Sequence, residues 1–378
     1  MERASPFTIT EEQMAGYFSD PVQGSVLFGI EWLVSDKANT LFALLFGIGF
    51  WVQMQRLEAR GADFEATYLR RLTVLLGLGV AHLFLFWPWD ILHMYAAMGF
   101  LLFAMRRISA KSMLLIGVPL ALLARPVAVW LIEAFELDAA GKATVLSQAG
   151  ILERQAVFDG GTYTQWVEQV FQLHWLEYFS TGLVLGWLGY VLGRFLVGAW
   201  IARQGWLQRT GELLPQIRKI CIIALPVGLA LELIYTMMDF EIVPKIFGLT
   251  PAIHAIGVPI LDLGYATGLI LLFNKASTSW LPKLFAPVGR MALTNYIIQS
   301  VLYFWLLYGI AGGFSMVGDL MPSQTLSIAL IFFALQIVFS ILWLRAFRYG
   351  PLEWLWRAAT YGEFPRIRRD LGVASQPA

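Results

Sequence analysis

Gly79–Phe100 reads GVAHLFLFWPWDILHMYAAMGF, an apolar run interrupted by Trp87, Pro88, Trp89 and Asp90. Proline lacks a backbone donor and clashes with the preceding turn, so the two halves do not continue as one straight helix. They read as a helical hairpin with its tip at one membrane face and Asp90 at that tip. His82 and His93 lie inside the same run, where ionisable groups are costly, so function is their default reading.

The flanking sequence has the same apolar character. Of 378 residues, 58% are hydrophobic, 15% aromatic and only 14% charged, against roughly 25% charged in soluble domains. The fold class is all-α, a polytopic transmembrane helical bundle lying in the lipid bilayer. A net charge of +1 with 27 scattered basic residues excludes a nucleic-acid partner, which needs a concentrated basic face. The single cysteine, Cys221, excludes an internal disulfide and a thiolate metal cluster. The start, MERASPFTITEEQMAGYFSD, lacks the basic and apolar regions of a cleavable signal peptide.

A bilayer core is crossed by roughly 17–25 apolar residues. Nine runs approach that length, near 39–55, 72–88, 90–105, 112–133, 172–193, 219–238, 252–274, 290–310 and 324–345. This divides the chain into an outside N-terminal segment (1–38), a transmembrane domain (39–345) with an outside loop at about 134–171, and an amphipathic tail (346–378). GSVLFGIEWLV, before the first run, is short and interrupted by Glu31, so it reads as interfacial or re-entrant. In the 134–171 loop, Tyr163 and Trp166 are expected at the outer interface, where the loop can cover an outward-facing cavity.

Basic residues in short loops favour the cytoplasm. They follow every second run: Arg56, Arg60, Arg70 and Arg71; Arg106, Arg107 and Lys111; Arg194, Arg203, Arg209, Arg218 and Lys219; Lys275 and Lys283; Arg345, Arg348 and Arg357. The N-terminus is therefore expected outside and the C-terminus in the cytoplasm.

Counting residues from the run ends then estimates depth. His82 falls about 15 Å from the cytoplasmic end of its run, near the midplane, and Asp262 reaches a similar depth from outside. Gln299 and Gln336 fall near the middle, with Glu232 and Arg125 nearer the outside. His93, His254, His174 and Glu177 gather toward the outer face, the last two as interfacial residues. Asp90 and His93, three apart, share a helix face.

Each polar residue has a structural alternative. His82 can serve in chemistry or make one interhelical hydrogen bond. Asp90 can also cap its helix, a compatible role. Asp262 can act in the site or pair with another helix, with Arg125 as partner. Gln299 and Gln336 have the composition of interhelical glue. No metal is expected, because the four histidines stand in different contexts. Phosphate-binding glycine loops, zinc helices and serine elbows are absent from the sequence. Gly182, Gly186, Gly189 and Gly193 recur at spacings of three and four, a face for close helix packing or for a ligand tail.

The hairpin YLRRLTVLLGLGVAHLFLFWPWDILHMYAAMGFLLFAMRR, the preceding LFALLFGIGFWVQMQR, and VGRMALTNYIIQS through SILWLRAFRYGPLEWLWRAATYG carry a specific pattern. In these the chain resembles the YeiB-like family of bacterial inner-membrane proteins, domain of unknown function 418, from about Lys37 to Gly362. The matching positions are Arg70, Arg71, His82, Asp90, Tyr95, Gly289, Asn295, Tyr296, Gln299, Ser300, Gly350, Pro351, Glu353 and Trp356. Members of that family usually begin with an extra membrane helix bearing an aspartate and an arginine-glycine pair, and nothing like it precedes residue 39 here. The chain therefore reads as a short form or a late start.

The family resembles, in fold grouping, the membrane acyltransferases, including the heparan-alpha-glucosaminide acetyltransferase type. That resemblance implies an acyl group carried from a cytoplasmic coenzyme A thioester to a small-molecule, lipid or glycan acceptor at the outer face. The residues fit such chemistry. His82 serves as base or acyl carrier, and Asp90 or Asp262 sets its tautomer. Asn295 and Gln299, one turn apart, donate to an oxyanion. His93, Tyr95, His254 and Glu232 line the outer cavity. Arg70, Arg71 and Arg290 bind the coenzyme phosphates, unless they only set topology. A transporter with a proton-relaying His/Asp site is the alternative, with Pro259 and Gly264 breaking the helix beside Asp262. A scaffold with no chemistry of its own would show a filled interior.

Overall fold

The computed structural model describes residues 9–61 and 63–369, apart from the side chains of Glu177 and Ala311, so the expected interfacial place of Glu177 lies outside what is described. The ends of the N-terminal segment and tail, 1–8 and 370–378, lie outside it too. Among the described residues there are sixteen α-helices and no strand. They are α1 Glu11–Ser19, α2 Pro21–Leu33, α3 Lys37–Glu58, α4 Phe64–Leu85, α5 Leu92–Ala104, α6 Ala110–Ala134, α7 Ala139–Leu146 and α8 Gln148–Gly160. After these come α9 Tyr163–His174, α10 Leu183–Arg203, α11 Thr210–Asp239, α12 Leu249–Asn274, α13 Trp280–Arg290, α14 Ala292–Leu307, α15 Pro322–Ala346 and α16 Pro351–Tyr361.

Seven helical segments are long and apolar enough to cross a membrane: Pro21–Glu58, α4, α6, α10, α11, α12 and α15. Helices α5 and α14 are shorter and apolar. Eight of the nine apolar runs read from the sequence fall mainly on one of these helices each, and the run at 172–193 falls only in part on α10. The chain is a multi-pass membrane protein built as an all-α bundle.

Local signals set the ends. Thr10 and Gln13 form a capping box before α1, and Asp20 accepts the Val22 N–H at 2.8 Å, with Pro21 opening α2. Two helices, α1 and α2, thus precede residue 39, neither with an arginine-glycine pair. The segment read as interfacial packs on the bundle, its Trp32 indole donating to the Leu229 carbonyl at 2.9 Å. Its Glu31 does not break the helix, because it falls in the last turn.

The run 172–193 is not one helix. A π-helical turn, Trp175–Ser180, is followed by Thr181 and by Gly182, whose φ of 75° is the left-handed conformation glycine tolerates without strain. α10 therefore starts at Leu183 and extends about ten residues further than the run. Arg194, expected in a loop, is consequently inside the bundle and 2% exposed.

α10 is the central helix, packed on α6 and α3, with Phe195, Leu196 and Ala199 fully buried. A Cβ on Gly193 would come 2.2 Å from the Ala121 nitrogen, and one on Gly186 2.6 Å from the Ala128 Cβ. From Gly186 to Gly193 the glycine face is filled by α6, leaving no room there for a tail, while a Cβ on Gly182 would meet nothing within 4 Å. α11 pairs with α12, α4 with α5, and α16 lies across α4. Trp166 of α9 is fully buried against Phe304 and Tyr308 rather than interfacial. Its helix docks on the hairpin through Tyr163, whose hydroxyl donates to the Phe84 carbonyl at 2.8 Å.

Candidate functional site

The hairpin forms as read. α4 ends at Leu85, and the N–H groups of Phe86 and Trp87 both donate to the His82 carbonyl at 3.0 Å. Gly79 lets the two arms close, since a Cβ there would lie 2.3 Å from the His93 nitrogen. Asp90 then sits between the arms, 2% exposed, and both its oxygens are used. Oδ1 lies 2.7 Å from His82 Nδ1, and Oδ2 lies 2.8 Å from His93 Nδ1 and accepts the His93 N–H at 2.9 Å. The capping and histidine-binding roles thus coexist in one carboxylate. The Tyr296 hydroxyl adds a donor to Oδ1 at 3.3 Å.

An ionised carboxylate only accepts, so both Nδ1 atoms carry the proton and both Nε2 atoms are left basic. His82 Nε2 is buried without a hydrogen-bond partner among the described residues. The His82 ring packs 5.1 Å from the Tyr296 ring. Depth counting placed His82 near the midplane, but α4 begins at Phe64 and His82 is three residues from its hairpin end. His174, expected at an interface, is buried, its ring 5.7 Å from that of His93.

Asp90, Tyr95 and Tyr296 line a cavity of about 300 Å³ beside this group, with Trp87, Trp89 and Asp36. Tyr95 points its hydroxyl at the Asn39 carbonyl, 3.0 Å away.

A second polar cluster lies alongside. Asp36 Oδ2 is 2.6 Å from Arg125 Nη1 and 3.2 Å from His254 Nε2. Glu232, fully buried, has Oε2 2.6 Å from Lys37 Nζ and 3.2 Å from His254 Nδ1. Buried charges of this kind persist only when paired, and here five residues from α3, its cap, α6, α11 and α12 pair one another. Arg125 thus meets Asp36 and not Asp262. Asp262, halfway along α12, is fully buried with Thr40 and Arg194 as electrostatic neighbours. Arg194 donates to Thr40 Oγ1 at 3.1 Å and to the Ala121 carbonyl at 2.8 Å. A further cavity of about 540 Å³ opens beside Arg125 and His254, and Asp36 and Tyr190 line both cavities.

Asp36 and Lys37 were missed from sequence, although the signal existed: a charged SDK triplet set between two apolar helices. Asp36 also holds φ at 61°, strain that a non-glycine residue keeps only where its surroundings enforce it.

The remaining candidates are spread out. Asn295 donates to the Val288 carbonyl at 3.2 Å and Ser340 Oγ at 3.0 Å, and the Gln299 amide donates to Gln336 Oε1 at 2.7 Å. Gln336 in turn donates to the Asn295 carbonyl at 2.8 Å, so these amides join α14 to α15. Arg71 stacks on Trp356, 3.8 Å from the ring centre, while Arg70 and Arg290 are exposed. Arg70 and Arg71 stand near the start of α4, away from its hairpin end, and none of the three arginines lines the cavities described. Nearby, Glu353 of α16 accepts the Thr294 N–H at 2.9 Å and the Thr294 hydroxyl at 2.5 Å. Gly350 is needed beside it, since a Cβ there would lie 2.1 Å from Glu353 Oε2.

Residues 201–363 match the family described as "Protein of unknown function (DUF418)". Over 358 residues the chain is 33% identical to "Uncharacterized protein YxaH" of Bacillus subtilis (strain 168), covering 91% of this chain and 84% of that one. The chain belongs to the DUF418 family. "Uncharacterized protein YeiB" of Escherichia coli (strain K12) is 31% identical over 330 residues, 86% of this chain and 81% of its own. A Bacillus acidopullulyticus relative, "Uncharacterized 39.9 kDa protein in amylase 3'region", is 29% identical over 338 residues, 88% and 83% of the two chains. No solved structure matches.

Proposed function

We propose that this membrane protein is an acyltransferase in which His82 is the general base and Asp90 its positioning partner. The observation that carries the reading is an Nε2 without a hydrogen-bond partner among the described residues, on a buried histidine whose Nδ1 lies 2.7 Å from Asp90, the carboxylate that itself lines the cavity. Such a pair gives one tautomer and stabilises the imidazolium that forms. The acyl donor is a coenzyme A thioester. Arg70 and Arg290, exposed at the far end of the bundle, fit its phosphates, while the Arg71 guanidinium is already engaged by Trp356. Eleven residues of α4 separate Arg71 from His82, about 16 Å at the helical rise. The thioester arm must therefore extend along the bundle. On the positive-inside argument the arginines face the cytoplasm of a bacterial inner membrane and the hairpin faces outward.

The test is release of free thiol from acetyl-CoA by the protein in proteoliposomes, with radiolabelled acetyl followed into lipid and sugar fractions. His82→Ala should reduce transfer by about 100-fold or more, the range of a general base, while the protein keeps its thermal transition. Donor consumption that persists in folded His82→Ala would overturn the assignment.

A second reading, a proton-coupled transporter, is favoured by the Asp36, Arg125, His254, Glu232 and Lys37 cluster beside its own cavity. Transport of a solute with no consumption of acetyl-CoA would select it.

A further inference from the structure

Trp87 and Tyr296 stand between two cavities of opposite character. On one side is the polar cavity of Asp90 and Tyr95. On the other is a cavity of about 450 Å³ walled by α1, α2, α14 and α15, where the same two aromatic rings form part of the lining. Its volume lies within the roughly 300–1,000 Å³ of small-molecule sites. The lining is mostly aliphatic and aromatic, with Leu27, Ile30, Leu307 and Leu326 among its residues.

Several polar groups in that lining are occupied by the protein. The Tyr17 hydroxyl donates to the carbonyls of Gly318 and Leu320 at 3.3 and 3.2 Å. Gln299 donates to Gln336, and the Ser300 hydroxyl donates to the Tyr296 carbonyl at 3.2 Å. Apart from the hydroxyls of Tyr303, Tyr308 and Thr325, what the lining offers a ligand is mainly hydrocarbon contact. At the boundary, the Tyr296 hydroxyl donates to Asp90 and accepts the Ile91 N–H at 3.4 Å, so its ring edges both cavities from a fixed position.

We infer that the site takes an amphiphile, a single-chain lipid alcohol whose hydroxyl enters the Asp90 cavity and whose tail lies beyond Trp87 and Tyr296. The inference rests on the reading of His82 as base. The acceptor oxygen bonds to the carbonyl carbon of the acyl thioester while its proton passes to His82 Nε2. The carbon–sulfur bond then breaks, and the leaving thiolate takes that proton from the imidazolium. An apolar chamber next to the reacting group supplies tail binding that a soluble sugar or amino acid cannot use.

The test uses the full chain in nanodiscs and a hexadecanol carrying a diazirine near its chain end, with crosslinked peptides mapped by mass spectrometry. Labelling is expected at Leu307, Leu326 and Ala329, displaced by plain hexadecanol but not by butanol. Ala329→Trp, which fills the chamber, should cut labelling at Leu326 by about tenfold or more, as pocket filling does in apolar sites. Labelling of the exposed α15 residues Leu330 and Ile331 should not change, and reports that the variant is folded in the bilayer. Undisplaced labelling spread over Leu330, Ile331 and Leu326 alike would mean ordinary membrane lipid and overturn the proposal. Acetyl transfer from acetyl-CoA, run in parallel, separates the two readings. A displaceable chamber label with no transfer to any acceptor keeps the amphiphile site and removes the acyltransferase. Transfer to butanol as fast as to hexadecanol, with the chamber unlabelled, keeps the acyltransferase and removes the amphiphile.

Discussion

Asp90 holds two histidines from the two arms of one hairpin, His82 through Oδ1 at 2.7 Å and His93 through Oδ2 at 2.8 Å. Replacing Asp90 by Asn puts an amide donor where one of these N–H groups points, so one histidine must change tautomer. Asp90→Asn should lower acyl transfer by about 100-fold or more, as loss of general-base catalysis does. Nitrogen-15 NMR of labelled histidine checks the cause: Nδ1 protonated in the native protein, and a shifted tautomer in the variant.

His93 shares the carboxylate but is partly exposed, with 19% of its side chain accessible against 2% for His82. Water can replace what His93 contributes. His93→Gln should reduce transfer by less than about tenfold, an effect near a single net hydrogen bond of about 1 kcal/mol. Equal losses for His82→Gln and His93→Gln, measured side by side, would remove the distinction between them.

Gly79 sits where the arms touch, and Gly77 two residues earlier meets nothing within 4 Å. Gly79→Ala should destabilise the protein by about 1–3 kcal/mol through overpacking. Gly77→Ala should be neutral or slightly stabilising, because alanine is the better helix former. Thermal unfolding in detergent compares the two, and equal transitions would show that the hairpin contact is loose.

Asp36 balances Arg125 and touches His254. Asp36→Ala should cost about 3–5 kcal/mol, the effect of leaving a buried charge uncompensated. Adding Arg125→Ala should recover part of that loss, since residues of one ion network do not add independently. Denaturation of the single and double variants measures the coupling; simple additivity would place the pair outside one network.

Glu353 ties the C-terminal helix to α14 through Thr294. Glu353→Ala should loosen α16 from α14 and speed tryptic cleavage after Arg357, which is exposed but held in the helix. Limited proteolysis that leaves the native and variant chains equally resistant would show that the stacking of Arg71 on Trp356 suffices.

Hydrophobic run length and turn chemistry are local, and they were largely readable: eight of the nine apolar runs each lie mainly on one helix, the run at 172–193 is broken by a π turn and Gly182, and Pro88 bends the hairpin where expected. The pairing of Asp90 with His93 was readable too, since three residues along a helix is one face. Partners from other helices were not. Asp36 to His254 spans 218 positions, and the helix that takes in Arg194 lies about ten residues beyond the run read at 172–193, starting after a glycine with a left-handed φ. Hydropathy measures how apolar a segment is and hardly how it is rotated about its axis. Which buried carboxylate meets which cation depends on that rotation, set by glycine contacts such as Gly193 on Ala121 and Gly79 on His93. The helices follow from composition along the chain; the His82, Asp90 and Tyr296 grouping exists only because α4, α5 and α14 pack together.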